Sequence, residues 1–516
     1  MNSTALIWLV ALPLVAGPAV YLVGRLQCWM LDFGFWMPSR SIQHPTPAIQ
    51  GGVARWLALA ALAGAWLPLA LAARELASGG AVALAVGAVA LRLDGLGLLV
   101  AALALALGGL VALFSGPDLA GRVGEEKYYA LVVVLVGALI GLACAGDLFN
   151  LWVWFELTAV VSYVLVAFYH RQPAALEAGV KYLLQGTAGS VLALLGIALV
   201  LAQAGTLDLA QIHARAAGSP ALLAAGALLL VGFGVKAALV PLHAWLPDAY
   251  EQAPSGVSAI MSAVVAKAGL VALLRALGAL AGVTLSWGAL LIGFGALNIL
   301  AGNLLALRQT QVKRLLAYSS LGQLGYIFLG LGIGVYAGQA AGAQGGLFHL
   351  LTHALMSALA FLAVGALIYS LGGAARERGS LVVGDLAGAA RRYPLAALAL
   401  SVAALGLAGL PPLAGFMSKW QIFVAGFATR SPAIMALVVF AALNSVLSLA
   451  YYAPLVNAVY RLEPSAAVRR GQALPAAMRA PLGLLALAVL ALGVWPGLAA
   501  WLTGPAGAAV MAAFGR

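Results

Sequence analysis

Charge is what this 516-residue chain has least of: Asp, Glu, Lys and Arg make up 8% of it, against 64% hydrophobic residues. A soluble domain carries about a quarter of its residues charged, so this composition excludes a water-soluble fold. It points to a polytopic α-helical membrane protein, and the length suits about fourteen spans with short connections. The alternating segments of about ten residues that mark an outer-membrane barrel are also missing; the apolar runs are continuous and helix-length. Cysteine is nearly absent. Cys28 and Cys144 stand in no CxxC or CxxH context, so no disulfide framework, zinc site or haem attachment is expected. The first apolar run, Ala5 to Gly24, lacks a basic leader and a cleavage signature, and reads as a first helix.

The formal net charge of +12 invites a nucleic-acid reading, which the distribution of charge removes. Apolar runs fall at 4–24, 53–73, 95–115, 128–146, 148–169, 176–203, 221–247, 255–274, 286–307, 315–337, 346–370, 394–428, 433–460 and 480–502. With the N-terminus outside, 17 of the 27 Lys and Arg residues fall on inner connections, among them Arg40, Lys313, Arg314, Arg376 and Arg378, and 6 fall outside. The positive-inside rule accounts for that bias. It places both termini on the outer side of a cell membrane. The longest polar connections, 25–52, 371–393 and 461–479, are too short for a soluble core of their own.

Two spans carry internal breakers. In LLLVGFGVKAALVPLHAWLPDA, Pro241 and Pro247 follow Lys236; in ALGLAGLPPLAGFMSKW, Pro411 and Pro412 precede Lys419. Proline removes a backbone donor and clashes with the preceding turn, so both helices are expected to unwind there. Such backbone survives at membrane depth only where protein or water satisfies it. The two breaks lie five spans apart, which suggests an inverted repeat of the kind secondary transporters use. The chain then divides into N-terminal helices 1–127, a first repeat 128–274, a second repeat 286–460 and a C-terminal segment 461–516.

What charge there is sits in telling places. Glu156, Lys181, Lys236, Lys267 and Lys419 all fall within apolar runs. An ionisable group near the bilayer centre costs at least ~2.5–3.5 kcal/mol, so its default reading is an ion path or proton relay. Glu156 and Lys236 form a candidate switch: a Lys–Glu pair that opens and closes alternately holds and releases a proton. A static ion pair is the plainer alternative. Lys267 lies mid-span, too far from either end to snorkel, and is placed to receive the proton. Lys419, beyond the second break, is the exit candidate. Lys181 stands near its helix start and is the weaker member. His349 and His353 are four apart on one helix face and titrate in the range a relay needs. The same spacing can hold a metal, but there is no HExxH motif and no evident third ligand. No metal or cofactor is expected. Asp94, Asp147, Asp248 and Glu251 fall at span ends and read as interfacial.

Assembled, these segments resemble the antiporter-like subunit family shared by Mrp-type cation/proton antiporters and respiratory complex I. GDLFNLWVWFELTAVVSYVLV, KAALVPLHAWLPDAYEQAPSGVSAIMSAVVAKAGLVALLR, QVKRLLAYSSLGQLGYI, FHLLTHALMSALAFL and GFMSKWQIF carry the resemblance, which runs from about Leu93 to Tyr460. It implies fourteen helices, two inverted five-helix repeats, broken helices 7 and 12, and a polar axis along the membrane midplane. It also implies that Glu156 is the helix-5 glutamate and Lys236 and Lys267 the helix-7 and helix-8 lysines. His349 and His353 are then the helix-11 histidines and Lys419 the helix-12 terminal residue. One departure stands out. Where the family often continues HA-x-x-K after the second histidine, this chain has Ser357, which orders water but holds no positive charge.

The function expected is proton translocation, with or without exchange for Na⁺ or K⁺, by one membrane subunit of a larger complex. The alternative versions are a D-type component of a Mrp antiporter and a redox-driven pump component of an NADH:quinone oxidoreductase or hydrogenase-type complex. GDLFNLWVWFEL leans towards D or N character. A stand-alone solute transporter would need a single polar cavity, whereas the buried polar groups here spread over many helices. No cysteine cluster, haem-ligand set or nucleotide loop supports redox chemistry in the chain itself.

Overall fold

In the computed structural model the residues described are 3–34, 52–79, 82–86, 89–216, 218–283, 285–372, 381–461 and 463–516. Arg40, Arg376 and Arg378 lie outside them. Among the described residues, twelve helices are long and apolar enough to cross a membrane: Thr4–Gln27, Gly52–Gly79, Gly95–Leu119, Glu125–Ala143, Leu148–Tyr169, Pro173–Ala204, Ser255–Ala279, Trp287–Ala306, Val312–Ala337, Ala340–Leu371, Pro432–Val459 and Ala476–Val494. Two shorter apolar helices, Pro220–Lys236 and Pro394–Ala408, are each followed by a break and a second helix, Trp245–Gln252 and Ala414–Ala428. Counted as one traverse each, these broken pairs are the seventh and twelfth of fourteen spans, and spans are named below by that order.

The connections sort onto two faces, as alternate traverses require. On one face, Leu91 bridges Ala145 and Asp147 bridges Asp208, while His213 Nδ1 meets the Gly278 carbonyl at 3.0 Å. There Asp94 caps the third span by accepting from Gly97 N, and Arg275 grips the same carboxylate through both nitrogens at 3.1 Å. On the other face, Tyr169 donates to Asp118 at 3.2 Å, Gln311 bridges Val382, and Ser465 N donates to Ala387 O at 2.9 Å.

Burial follows position in the bundle. The eighth span is buried throughout its most apolar window, whereas large apolar side chains of the first, sixth and fourteenth spans stay exposed, among them Trp8, Leu184 and Leu487. A helix apolar all round belongs in a protein interior or facing lipid; here both occur.

Two elements were not expected from the sequence. An antiparallel hairpin, β1 (Val82–Val86) with β2 (Val89–Leu93), fills the second connection. A helix at Ala500–Ala513 follows the last span, its Pro505 backbone packed against Gly95 and Ala513 against Gly278. The inner-loop reading of Lys313 is corrected. It opens the tenth span, is 1% exposed, and donates to Ala253 O at 2.6 Å.

Candidate functional site

The break in the seventh span is a built structure. Trp245 Nε1 donates to Val235 O at 2.8 Å. Asn298, reaching over from the ninth span, accepts from Val240 N at 2.9 Å and donates to Ala238 O at 3.0 Å. Lys236 is the last residue of the first half-helix, where the dipole's negative end favours a cation. It is 3% exposed. Its ammonium lies 3.4 Å from Phe155 O and 5.0 Å over the Phe155 ring. Glu156, the next residue, is within electrostatic reach, but no ion pair joins the two among the described residues. Glu156 Oε1 is buried with no hydrogen-bond partner there. Lys236 and Glu156 are therefore neighbours that are not ion-paired.

The eighth span brings Lys267 alongside. Gly269 allows this: a Cβ there would stand 2.6 Å from Ala237 N and 2.8 Å from the Lys236 carbonyl carbon, so only glycine lets the two backbones touch. A π-helical turn, Met261–Val265, precedes Lys267. Such turns loosen the carbonyl ladder and gather at functional sites. Lys267 folds back and donates to Ser262 O at 2.5 Å, while Ser262 Oγ meets Ser320 Oγ of the tenth span at 2.9 Å.

The eleventh and twelfth spans meet at the second break. The half-helix Pro394–Ala408 ends in two carbonyls that Lys419, from the following half, folds back to hold: Leu407 O at 2.8 Å and Ala408 O at 3.5 Å. Ser445 Oγ lies 2.9 Å from the ammonium, and the Tyr326 ring lies beneath it at 4.5 Å. Both breaks thus place a lysine charge at the C-terminal end of the first half-helix. In the seventh span that lysine belongs to the first half, in the twelfth to the second.

His349 and His353 are fully buried, their rings stacked 6.2 Å apart. His349 Nδ1 meets Ser418 Oγ at 2.8 Å and Nε2 meets Gln323 Oε1 at 3.1 Å. Gln323 Nε2 in turn donates to Leu407 O at 2.9 Å. His353, within electrostatic reach of Lys267 and Lys419, has neither ring nitrogen bonded to protein among the described residues. Ser357 is buried and donates to Ala354 O at 3.3 Å.

Lys181 stands apart from this axis. Its side chain is 51% exposed, and it pairs with Glu177 at 2.7 Å and Asp248 at 3.0 Å. Asp248 also binds Arg314 at 2.6 Å, and Arg314 binds Glu251 at 3.0 Å. These span-end acids form an ionic chain rather than a lone buried charge.

Sequence reasoning brought forward the charged groups and passed over their neutral partners. Asn298, Gln323 and Ser418 each fix a backbone or ring of the axis, Ser262 joins the π-turn to Ser320, and none stands out in its run. Lys313 had a signal, a lysine at a helix start, but its neighbour Arg314 made the pair look like a loop cluster.

Residues 145–448, which include Glu156 through Lys419, match the family described as NADH:quinone oxidoreductase/Mrp antiporter, TM. The NADH-quinone oxidoreductase subunit N of Desulforudis audaxviator is 35% identical over 400 residues, covering 74% of this chain and 77% of that protein. The F(420)H(2) dehydrogenase subunit N of Methanosarcina mazei is 36% identical over 379 residues, covering 72% and 75%. A chain of the membrane-bound sulfane sulfur reductase, an archaeal respiratory membrane complex, superposes with a TM-score of 0.83 at 30% identity, covering 99% of this chain and 98% of that one. With that matched segment holding both broken helices and the lysines at their breaks, this chain belongs to the NADH:quinone oxidoreductase/Mrp antiporter transmembrane family.

Proposed function

We propose that this chain is the subunit N-like, proton-translocating membrane subunit of a redox-driven complex. The carrying observation is the row of buried lysines, Lys236, Lys267 and Lys419, each held by backbone carbonyls at a helix break or π-turn and none ion-paired among the described residues. An ammonium held by carbonyls, a hydroxyl or a ring face has no carboxylate bonded to it to pin its charge, and it can give its proton up to water or a neighbouring base. Glu156 is the group whose approach to Lys236 favours the charged lysine, and whose withdrawal favours release. The proton then passes to Lys267, on to His353 and Ser357, and out by Lys419; Lys181 tunes the inner end through Asp248.

The weight shifts from a Mrp-type antiporter to a redox-driven assembly because the two relatives described are N subunits, one of an NADH-quinone oxidoreductase and one of an F(420)H(2) dehydrogenase. The catalytic redox centres belong, on this reading, to other subunits. The chain lies in the cell membrane with both ends outside, and 128–274 and 286–460 act as two inverted half-channels, each with one broken helix. The test is proton uptake by inverted vesicles carrying the intact complex. Lys236→Ala and Glu156→Ala are each expected to abolish uptake while the complex still assembles. Uptake retained in both variants would remove the pair from the mechanism.

A further inference from the structure

The two histidines of the eleventh span, alike in sequence, stand in opposite hydrogen-bonding states. His353 has two nitrogens without a protein partner among the described residues; His349 has both engaged. What engages His349 also decides which of its nitrogens carries the proton. Leu407 O can only accept. The amide atom of Gln323 that lies 2.9 Å from it is therefore the NH₂ group. This leaves Oε1 facing His349 Nε2 at 3.1 Å. An amide oxygen also only accepts, so Nε2 must be the protonated nitrogen of the neutral ring. Nδ1 is then the lone-pair nitrogen, turned to the Ser418 hydroxyl at 2.8 Å. Ser418 Oγ accepts from Thr352 Oγ1 at 3.0 Å, and its single proton, which also has Gly415 O in reach at 3.1 Å, turns to Nδ1 when that nitrogen carries the lone pair.

The arrangement is hard to reverse. Turning the amide over would set its oxygen against the Leu407 carbonyl, a repulsive contact in a dry interior that remains even if the ring moves its proton to Nδ1 to accept from the NH₂. Both lone pairs of Leu407 O are occupied, one by Gln323 and the other by Lys419 Nζ at 2.8 Å. The hydroxyl of Tyr452 stands beside the same amide, and Gln323 is 2% exposed.

We infer that Gln323 is a positioning residue that locks His349 as the Nε2–H tautomer, so that His349 exchanges protons through Nδ1 alone and the through-path runs over His353. A proton reaching His349 forms an N–H bond at Nδ1 and leaves from the same atom. The Nε2 proton stays in place, because handing it on through Gln323 would require an imidic-acid form of the amide. His353, with neither nitrogen tied to protein, can take a proton at one nitrogen and release the other to water on its far side. The role given to His353 rests on the proton-translocation reading; the tautomer of His349 does not.

The test uses the intact membrane complex with ¹⁵N-labelled histidine, read by solid-state NMR. The difference from His349→Gln isolates the His349 signals from the other histidines of the assembly. The expected wild-type spectrum shows one neutral form, protonated at Nε2. Gln323→Leu is expected to give a mixture of tautomers, while Gln323→Glu, which keeps an accepting oxygen, retains the single form. A wild-type ring protonated at Nδ1, or a Gln323→Leu spectrum unchanged from wild type, overturns the lock. If Gln323→Leu does not assemble, the wild-type spectrum and Gln323→Glu decide. In vesicles, His353→Gln is expected to slow proton uptake about a hundredfold beyond His349→Gln, the lower end of what a positioned acid–base group supplies. Equal losses would overturn the division between the histidines. No uptake by the wild type would sink the translocation reading and leave the tautomer result standing.

Discussion

Lys236, Lys267, Lys313 and Lys419 share one environment: at most 3% exposed, with the ammonium on a backbone carbonyl. Bringing an ammonium into a protein interior carries an effective penalty of several kcal/mol. A hydrogen bond to a charged group returns only about 1.5–3 kcal/mol. The penalty wins, so these lysines do not serve stability, and a neutral chain of similar length should fit at least as well. Lys267→Met is therefore expected to leave the complex assembled at the wild-type level on native gels while proton uptake by vesicles is lost. Normal uptake in that variant would make Lys267 a packing residue. Lys236, Lys267 and Lys419 were legible in the sequence because a lysine within an apolar run is conspicuous, whereas Lys313, beside Arg314 at the edge of a run, was not. Gln323 was not, since a glutamine in a helix gains meaning only when the fold sets it between His349 and Leu407. Lys181, the weaker member because it stands near its helix start, is half exposed and pairs with Glu177 and Asp248.

Among the elements, the two broken helices were legible because proline announces its own break. What holds the breaks open was not. The seventh span leaves Ala238 O and Val240 N without helical partners, and Asn298 supplies both from a helix more than fifty residues away in the chain. Nothing in the run WGALLIGFGALNILAGNLLA marks that asparagine. Each buried polar group left unpaired costs about 1–3 kcal/mol. Asn298→Leu should thus destabilise the break by about 2–6 kcal/mol, and Asn298→Asp, which keeps the acceptor for Val240 N, by less. The midpoint of thermal disassembly of the purified complex would show it, the leucine variant falling furthest. Equal midpoints in all three proteins would mean the break holds itself. The π-turn before Lys267 was equally hidden, because one inserted residue in an apolar helix changes no composition. Within it, Ser262 Oγ meets Ser320 Oγ of the tenth span.

At the scale of the whole molecule, topology follows from a parity and a charge bias that are independent of one another. Fourteen traverses bring the two ends of the chain to the same face, and the tail lies there: Gly515 stands against His213 and Arg516 reaches Gly338. Parity does not say which face that is. The excess of Lys and Arg on the opposite connections, 16 against 6 once the buried Lys313 is left out of the 17, favours the proposed orientation, in which that opposite face is cytoplasmic. A membrane-impermeant maleimide separates the two orientations, and the chain offers a clean background for it. Cys144 lies between the fourth and fifth spans, fully buried, and burial pushes its thiol up to about 12. Little of it is therefore the reactive thiolate at neutral pH. In a Cys28→Ser chain, Arg516→Cys is expected to label in intact cells. Arg171→Cys, on the exposed connection between the fifth and sixth spans, should label only after the membrane is opened. The reverse pattern would keep the fourteen spans but turn the molecule over, exchanging the entry and exit ends of the lysine row. Labelling of both sites in intact cells would break the parity itself and require a span to have been miscounted.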